Sequence, residues 1–329
     1  LGEKMLKVGI VGVGQFGQNH ARILAQSDKC QFVGLYDKNK KRASEISEKL
    51  NCPRFDNFEA LLAECEALVI VVTTISHYEL AKQAMEQGIH VFIEKPITET
   101  LDQAEKLVKL AEEKNLKIQV GHIEHFNPIV LEMADEIHNP IFIESHRIAP
   151  FSPRGTDIPV VLELMIHDID LVLTFCKSKV VNISASGAGV MTKSIDIANA
   201  RIEFADGAVA NLTSSRISMK RSRKFRIFQK DGYFSMDFQT KKVTHIKKSK
   251  NLYKVLPQIV MGKYDGIDTS QVVDIVEVDA SDRKKDALTI ELESFIQAVE
   301  ADLNPIVDGQ AGARALKIAL EIVNKINKK

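Results

Sequence analysis

The apolar positions of this chain change period part-way along it. In the first third, short apolar runs alternate with stretches whose apolar residues recur every three or four positions. Residues 6–11, 32–36, 67–72, 89–93 and 117–120 read as buried strands. Helices are predicted between them over 15–26, 41–50, 57–65, 77–87 and 100–115. Gly88 suits the left-handed residue that closes the fourth helix, and Thr100 with Gln103 forms a capping box at the start of the fifth. Alternation of this kind builds a parallel sheet covered by helices on both faces. From Ile141 the period falls to two. Residues 180–190, 198–204, 209–216, 225–229, 233–238 and 242–246 read as an antiparallel sheet, with Asp206-Gly207 and Asp231-Gly232 as hairpin signals. A helix over 159–176 lies on one face of that open sheet, 251–281 reads as an irregular excursion, and helices starting at Leu288 and over 310–326 end the chain.

A chain of 329 residues is too long for one ordinary core, so two domains are expected. The pattern places an α/β domain with a parallel sheet in 1–121 and an α+β domain with an open, mostly antiparallel sheet in 122–329. Lys+Arg and Asp+Glu both number 44, which leaves no overall electrostatic footprint for nucleic acid or an anionic membrane. The apolar run 67–72 is far shorter than the roughly 18 residues of a spanning helix. No signal peptide is visible around Lys4 and Lys7, and Cys30, Cys52, Cys65 and Cys176 are scattered. Those features fit core thiols in a reducing, cytoplasmic setting rather than a disulfide framework or a zinc site.

The first strand runs into Gly12-Val13-Gly14-Gln15-Phe16-Gly17, which opens a helix, and Asp37 ends the second strand. A Gly-x-Gly-x-x-Gly turn is weak alone, but between a strand and a helix, with a later acidic residue, it is the dinucleotide fingerprint of a Rossmann domain. The glycines let backbone approach a pyrophosphate, and the helix start offers amide donors to it. A carboxylate at Asp37 binds ribose hydroxyls and repels a 2′-phosphate, favouring NAD over NADP. Lys38, Lys40, Lys41 and Arg42 soften that preference. A tight turn with a solvated Asp is the competing explanation.

With that fingerprint upstream, Glu94-Lys95-Pro96 after the fourth strand of the pattern resembles the Gfo/Idh/MocA superfamily, that of glucose-fructose oxidoreductase and inositol dehydrogenase. The resemblance covers nearly the whole chain. It implies a frequently cis Lys-Pro peptide, with Glu94 beside the cofactor and Lys95 contacting the nicotinamide side and a substrate hydroxyl. Thr74 and His77 resemble a cofactor-side turn of the family, although Thr73 stands where Pro is usual. Residues 121–128, Ser152-Pro153-Arg154 and 164–170 are similar to the branch that oxidises UDP-N-acetylglucosamine at C3 for later transamination. That branch implies Asn127 as a substrate contact. Two departures stand out: His125 replaces an Arg, and Glu163 replaces an Asp four residues before a catalytic His. The resemblance further implies a homo-oligomer, dimer or tetramer, C-terminal helices 288–329 packing at the domain junction, and an aminotransferase as a pathway partner.

Helix 159–176 places Glu163 and His167 at i and i+4 on one face. A carboxylate on one ring nitrogen fixes the tautomer and leaves the other nitrogen to accept a proton, as an alcohol oxidation requires. Lys95 is the group to stabilise charge developing on oxygen. A helix-surface His–Glu pair is the alternative. Glu163, His167, Asp168, His122, His125 and His146 form no tight ligand motif, so no metal is expected. Residues 207–230 contain Arg216, Lys220, Arg221, Arg223, Lys224, Arg226 and Lys230 and one acidic-free run, read either as an anion site, with Arg147 and Arg154 as further candidates, or as a charged edge strand. The expected function is NAD-dependent oxidation of a UDP-N-acetyl sugar. A free sugar or inositol dehydrogenase, or a non-catalytic NAD-binding regulator, stays open.

Overall fold

The computed structural model describes residues 5–153 and 155–328. The chain divides into two compact units, Leu1–Phe126 with Lys285–Lys317, and Asn127–Lys284 with Ile318–Lys329.

The first unit carries β1 (Lys7–Val11), α1 (Gly17–Gln26), β2 (Gln31–Tyr36), α2 (Lys40–Leu50), α3 (Phe58–Leu62), β3 (Ala67–Ile70), α4 (His77–Glu86), β4 (His90–Glu94), α5 (Leu101–Lys114) and β5 (Ile118–Gly121). All five strands run parallel in the order β2-β1-β3-β4-β5. Consecutive residues Ala67, Leu68, Val69 and Ile70 are all fully buried, which requires cover on both faces and explains runs that do not alternate with polar residues. Helix limits follow side-chain chemistry. Asn39 accepts the Arg42 amide at the start of α2, and Asn51 ends it in the left-handed region at φ 50°. The Thr100–Gln103 capping box at the start of α5 is present in both directions. Helix α1 begins at Gly17 rather than Gln15, because residues 12–16 are still turning.

Residues from the far end of the chain complete this core. Leu292, Phe295 and Ile296 join the cluster around Val8, Ile10, Val69 and Phe92, and the rings of Phe92 and Phe295 meet edge-on at 5.9 Å. They lie on the helix spanning Ala287–Glu300.

The second unit opens with α6 (Pro128–Met133) and β6 (Phe142–Ile148), followed by α7 (Ile166–Phe175). The strands β7 (Val180–Ala188), β8 (Ile197–Phe204), β9 (Val209–Ser215), β10 (Ser222–Gln229), β11 (Gly232–Asp237) and β12 (Lys242–Lys248) follow. After them come α8 (Leu252–Val260), α9 (Thr269–Val272) and β13 (Val273–Asp279). Helices α10 (Ala287–Glu300) and α11 (Gly309–Asn327) end the chain. The eight-stranded sheet has the order β13-β12-β11-β10-β6-β9-β8-β7. The β6–β9 pair is parallel, and the other pairs are antiparallel. The chain is thus α/β with a Rossmann sheet and a second, mostly antiparallel sheet. Among the described residues no helix is long and apolar enough to cross a membrane.

Three local expectations need correction. Residues 251–281 are two short helices and the edge strand β13, not an irregular excursion; β13 is mostly exposed, so burial left little contrast to read. The basic strand β10 is not an edge, since it pairs with β6 on one side and β11 on the other. The helix expected over 159–176 starts as a π-helical turn, Val161–Met165, before α7. Such wide turns recur at functional sites.

Helix α7 is tied to β6 by an ion pair between Arg147 and Asp168. The guanidinium Nε lies 3.0 Å from both carboxylate oxygens and Nη2 2.7 Å from Oδ1. The two side chains are 4% and 1% exposed. Removing one partner strands a buried charge, whereas replacing both does not. Arg147→Met is expected to cost about 3–5 kcal/mol in denaturant unfolding, and Arg147→Met with Asp168→Leu to regain most of it.

Candidate active site

In the first unit, candidate residues gather where strands end. Gly12 follows β1 with φ +87°, and a Cβ there would stand 2.2 Å from the Val71 carbonyl oxygen. Only glycine fits that position. Gly14 is different, because a Cβ on it would meet nothing within 4 Å. Helix α1 then starts without a side-chain cap and without an acidic residue in its first turn, so no side-chain charge there opposes an anion at the helix start. Gln15 is exposed, and Phe16 is 74% exposed.

Asp37, just past β2, accepts the Val13 amide on Oδ2 at 2.9 Å and the Asn39 amide on Oδ1 at 2.8 Å. Each oxygen keeps a further lone pair. Arg42, expected to soften the cofactor preference, is engaged inside the loop: Nε donates to the Val13 carbonyl at 3.0 Å and Nη2 to Gln18 Oε1 at 2.9 Å.

Strand β4 ends at Glu94, and the Lys95–Pro96 peptide is cis. Glu94 Oε2 accepts the Lys95 amide at 3.1 Å, and Oε1 lies 3.0 Å from Nε2 of His20 on α1. Burial pushes the Glu94 carboxyl up, but the His20 imidazole and the Lys95 charge and amide outweigh it and leave it below its usual range. Thr74 is partly exposed in a 3-10 turn, Thr74–Ser76. His77 is not on the open side of this turn. It is buried, with Nδ1 2.9 Å from the Pro96 carbonyl and Nε2 3.1 Å from the Val72 carbonyl. Burial holds its imidazole below the usual value. His20 was missed from sequence, and its position three residues after Gly17 was the available signal.

In the second unit, the π-helical turn and α7 sort their polar groups by direction. Asp168 is buried against Arg147, while Glu163 and His167 are partly exposed. The expectation that Arg147 meets a substrate phosphate is therefore replaced by a role in the core, since its guanidinium is spent on Asp168. Glu163 Oε2 lies 3.1 Å from Nη1 of Arg216. Arg216, just past β9, is buried and also faces Asp196 Oδ1 at 3.2 Å and the Ile195 carbonyl at 2.9 Å. It donates to the carbonyls of Gly155 and Ile158 as well. Gly155, with φ +65°, packs against the Glu163 carboxylate. Sequence reasoning placed Arg216 in a basic patch, whereas it organises the loop before the helix. Of that patch, Arg226 pairs with Glu144 at 3.1 Å, and Lys220, Arg221, Lys224 and Lys230 are exposed. Asn127 is buried and caps α6. Arg154 lies outside the described residues. Lys95 belongs to the first unit and His167 to the second.

A parallel sheet with a glycine-rich strand-to-helix turn and an acidic residue at the next strand end defines a dinucleotide-binding domain of the Rossmann class. Residues 6–122 match the model of the oxidoreductase family with an NAD-binding Rossmann fold, and 151–235 match the GFO/IDH/MocA C-terminal domain. The chain belongs to the Gfo/Idh/MocA family of NAD-dependent dehydrogenases acting on hydroxyl groups. It is 34% identical over 318 residues, 96% of each chain, to UDP-N-acetylglucosamine 3-dehydrogenase of Acidithiobacillus ferrooxidans. The solved structure of that enzyme superposes with a TM-score of 0.87 over 98% of both chains. The scyllo-inositol 2-dehydrogenase of Bacillus subtilis is 26% identical over 66% of this chain and 69% of its own. A scyllo-inositol dehydrogenase from Lactobacillus casei with bound NAD(H), 20% identical, shares the fold at a TM-score of 0.78 over 99% and 98% of the two chains.

Asp196 accepts the amides of Val190, Met191 and Thr192 on Oδ2 and the Thr192 hydroxyl on Oδ1. Burial pushes its carboxyl up, but these donors bring it down to about 2. A carboxyl lowered on folding stabilises above its unfolded pKa and loses that contribution as pH falls through the folded value. The second unit is therefore expected to lose stability from about pH 4 toward about pH 2, and Asp196→Asn to flatten that limb in thermal melts across the range.

Proposed function

We propose that this protein oxidises the C3 hydroxyl of UDP-N-acetylglucosamine to a 3-keto sugar nucleotide. The observation that carries this reading is the extent of the likeness to the Acidithiobacillus ferrooxidans enzyme, which runs through the second unit as well as the first.

The nucleotide loop suits a dinucleotide on its own geometry. Nothing in the protein needs Gly14 to lack a side chain, so the open space beside it fits a pyrophosphate lying against backbone. Gly12, Gly14, Gln15, Phe16 and Gly17 are assigned to that contact. Asp37 is assigned to the ribose hydroxyls, using the lone pair left on each oxygen, and its charge disfavours a 2′-phosphate. Thr74 and Glu94 are assigned to the cofactor side. When bound, NAD takes up the hydride from the sugar carbon.

His167 is assigned as the base that accepts the hydroxyl proton while the carbon–oxygen double bond forms. Glu163, whose carboxylate Arg216 holds, supplies negative charge one turn away and favours the imidazolium that results. The Lys95 ammonium steadies the oxygen as the proton leaves. Asn127 and Arg154 are assigned to the substrate, Arg154 to its diphosphate. The reading includes a cytoplasmic homo-oligomer, dimer or tetramer, and an aminotransferase that consumes the ketone.

Purified protein with NAD is expected to form NADH on UDP-N-acetylglucosamine when a carbonyl trap removes the ketone. Turnover on scyllo-inositol or free N-acetylglucosamine with none on the nucleotide sugar would sink the proposal. His167→Ala and Lys95→Ala are each expected to lower kcat by about 10²–10⁴-fold. Gly14→Ala is expected to weaken NAD binding in calorimetry without moving Tm, whereas Gly12→Ala lowers Tm.

A further inference from the structure

Two buried histidines take no part in the chemistry above, yet both reach the segment that carries Lys95. His20 lies inside α1 among the buried Ala21, Ile23 and Leu24, with its ring edge-on to Phe92 at 5.9 Å. An imidazole is a costly choice for such a place unless its nitrogens find partners. Nδ1 is 3.2 Å from the Phe16 carbonyl, within the nucleotide loop. Nε2 is 3.0 Å from Glu94 Oε1, and the other Glu94 oxygen accepts the Lys95 amide at 3.1 Å. One side chain thus links the nucleotide loop, through Glu94, to the backbone of Lys95.

On the far side of Lys95, His77 lies 2.9 Å from the carbonyl of Pro96 and 3.1 Å from that of Val72, at the end of the preceding strand–turn. Both partners of each ring are acceptors, so a ring N–H on either nitrogen has an oxygen to meet. Gly121 forms a third wall: a Cβ there would stand 3.0 Å from the Glu94 carboxyl carbon. The residue before Lys95 and the residue after it are each gripped, by helices α1 and α4 respectively.

We propose that His20 and His77 are positioning residues that jointly set the Lys95 side chain, His20 doing so in register with the nucleotide loop. The proposal rests on the catalytic reading of Lys95. A loosened support is expensive because a shift of about 1 Å at a reacting group can cost on the order of a hundredfold. An imidazole whose N–H meets an acceptor in either tautomer is tethered in a way an apolar side chain of equal volume is not.

The test is a set of double-mutant cycles on the full chain, with folding of each variant checked by circular dichroism. His20→Ala and His77→Ala are each expected to lower kcat by about 10–100-fold while KM for NAD moves by less than about threefold. His77→Gln, which keeps a donor for one carbonyl, is expected to recover part of the loss and serves if the Ala variant does not fold; His20→Gln serves likewise. In a Lys95→Ala background the same substitutions are expected to cost no more than about twofold, because their effect passes through Lys95. A second readout needs neither cofactor nor turnover. Amine-reagent labelling of Lys95, followed by mass spectrometry, is expected to change at least about threefold in the histidine variants while exposed lysines label unchanged. Full, additive losses in the Lys95→Ala background, or unchanged Lys95 labelling, would overturn the brace and leave the catalytic reading standing. Intact turnover in Lys95→Ala alone would overturn both.

Discussion

Burial of the first sheet on both faces is the constraint from which the rest of this molecule follows. A strand with no exposed side has no place for a working polar side chain along its length. Polar chemistry is therefore displaced to the strand ends. Gly12 follows β1, Asp37 follows β2, Thr74 follows β3, Glu94 ends β4 and Gly121 ends β5. Two carboxylates in that row each collect a backbone amide, Asp37 that of Val13 in the neighbouring loop and Glu94 that of the adjoining Lys95. The sheet supplies the alignment and the carboxylates convert it into fixed loop geometry.

The second unit solves the same problem by another route. Its sheet is mostly antiparallel, and charged side chains are buried on α7 and against the loop before it. Buried arginines hold these elements in place. Arg147 fastens α7 to β6 through Asp168, and Arg216 draws Glu163, Asp196 and loop carbonyls around one guanidinium. The planar fork of arginine suits this work, since it satisfies several acceptors at once. The cost of desolvating these ions is offset only where every partner stays in place, so losing one partner costs more than losing both.

Residues close in sequence consequently have unlike fates. His167 and Asp168 are neighbours, but one is partly exposed and the other sealed against Arg147. Arg216 opens a run of basic residues and yet is an internal organiser, while Lys220 and Lys224 are exposed. His77, read either as a cofactor-side candidate or as a helix-start residue with no ligand, is turned inward onto two carbonyls. In each case charge and spacing were legible, but direction was not.

The alternation of strand and helix, the glycine-rich turn, the capping box at Thr100 and the Glu94-Lys95-Pro96 signature were all readable in the chain because each is a short local pattern, and Asp37 because it stands at a fixed offset from that turn. Local sterics and hydrogen bonding decide such features before any long-range contact forms. Long-range packing decided the others. It placed β10 inside a sheet, made an edge strand of 273–279, widened the helix at Val161–Met165, and brought His20 to Glu94 and Arg216 to Glu163. Those pairings join positions tens of residues apart, and the burial of charge in them is tolerated only when both partners meet, which no local pattern encodes.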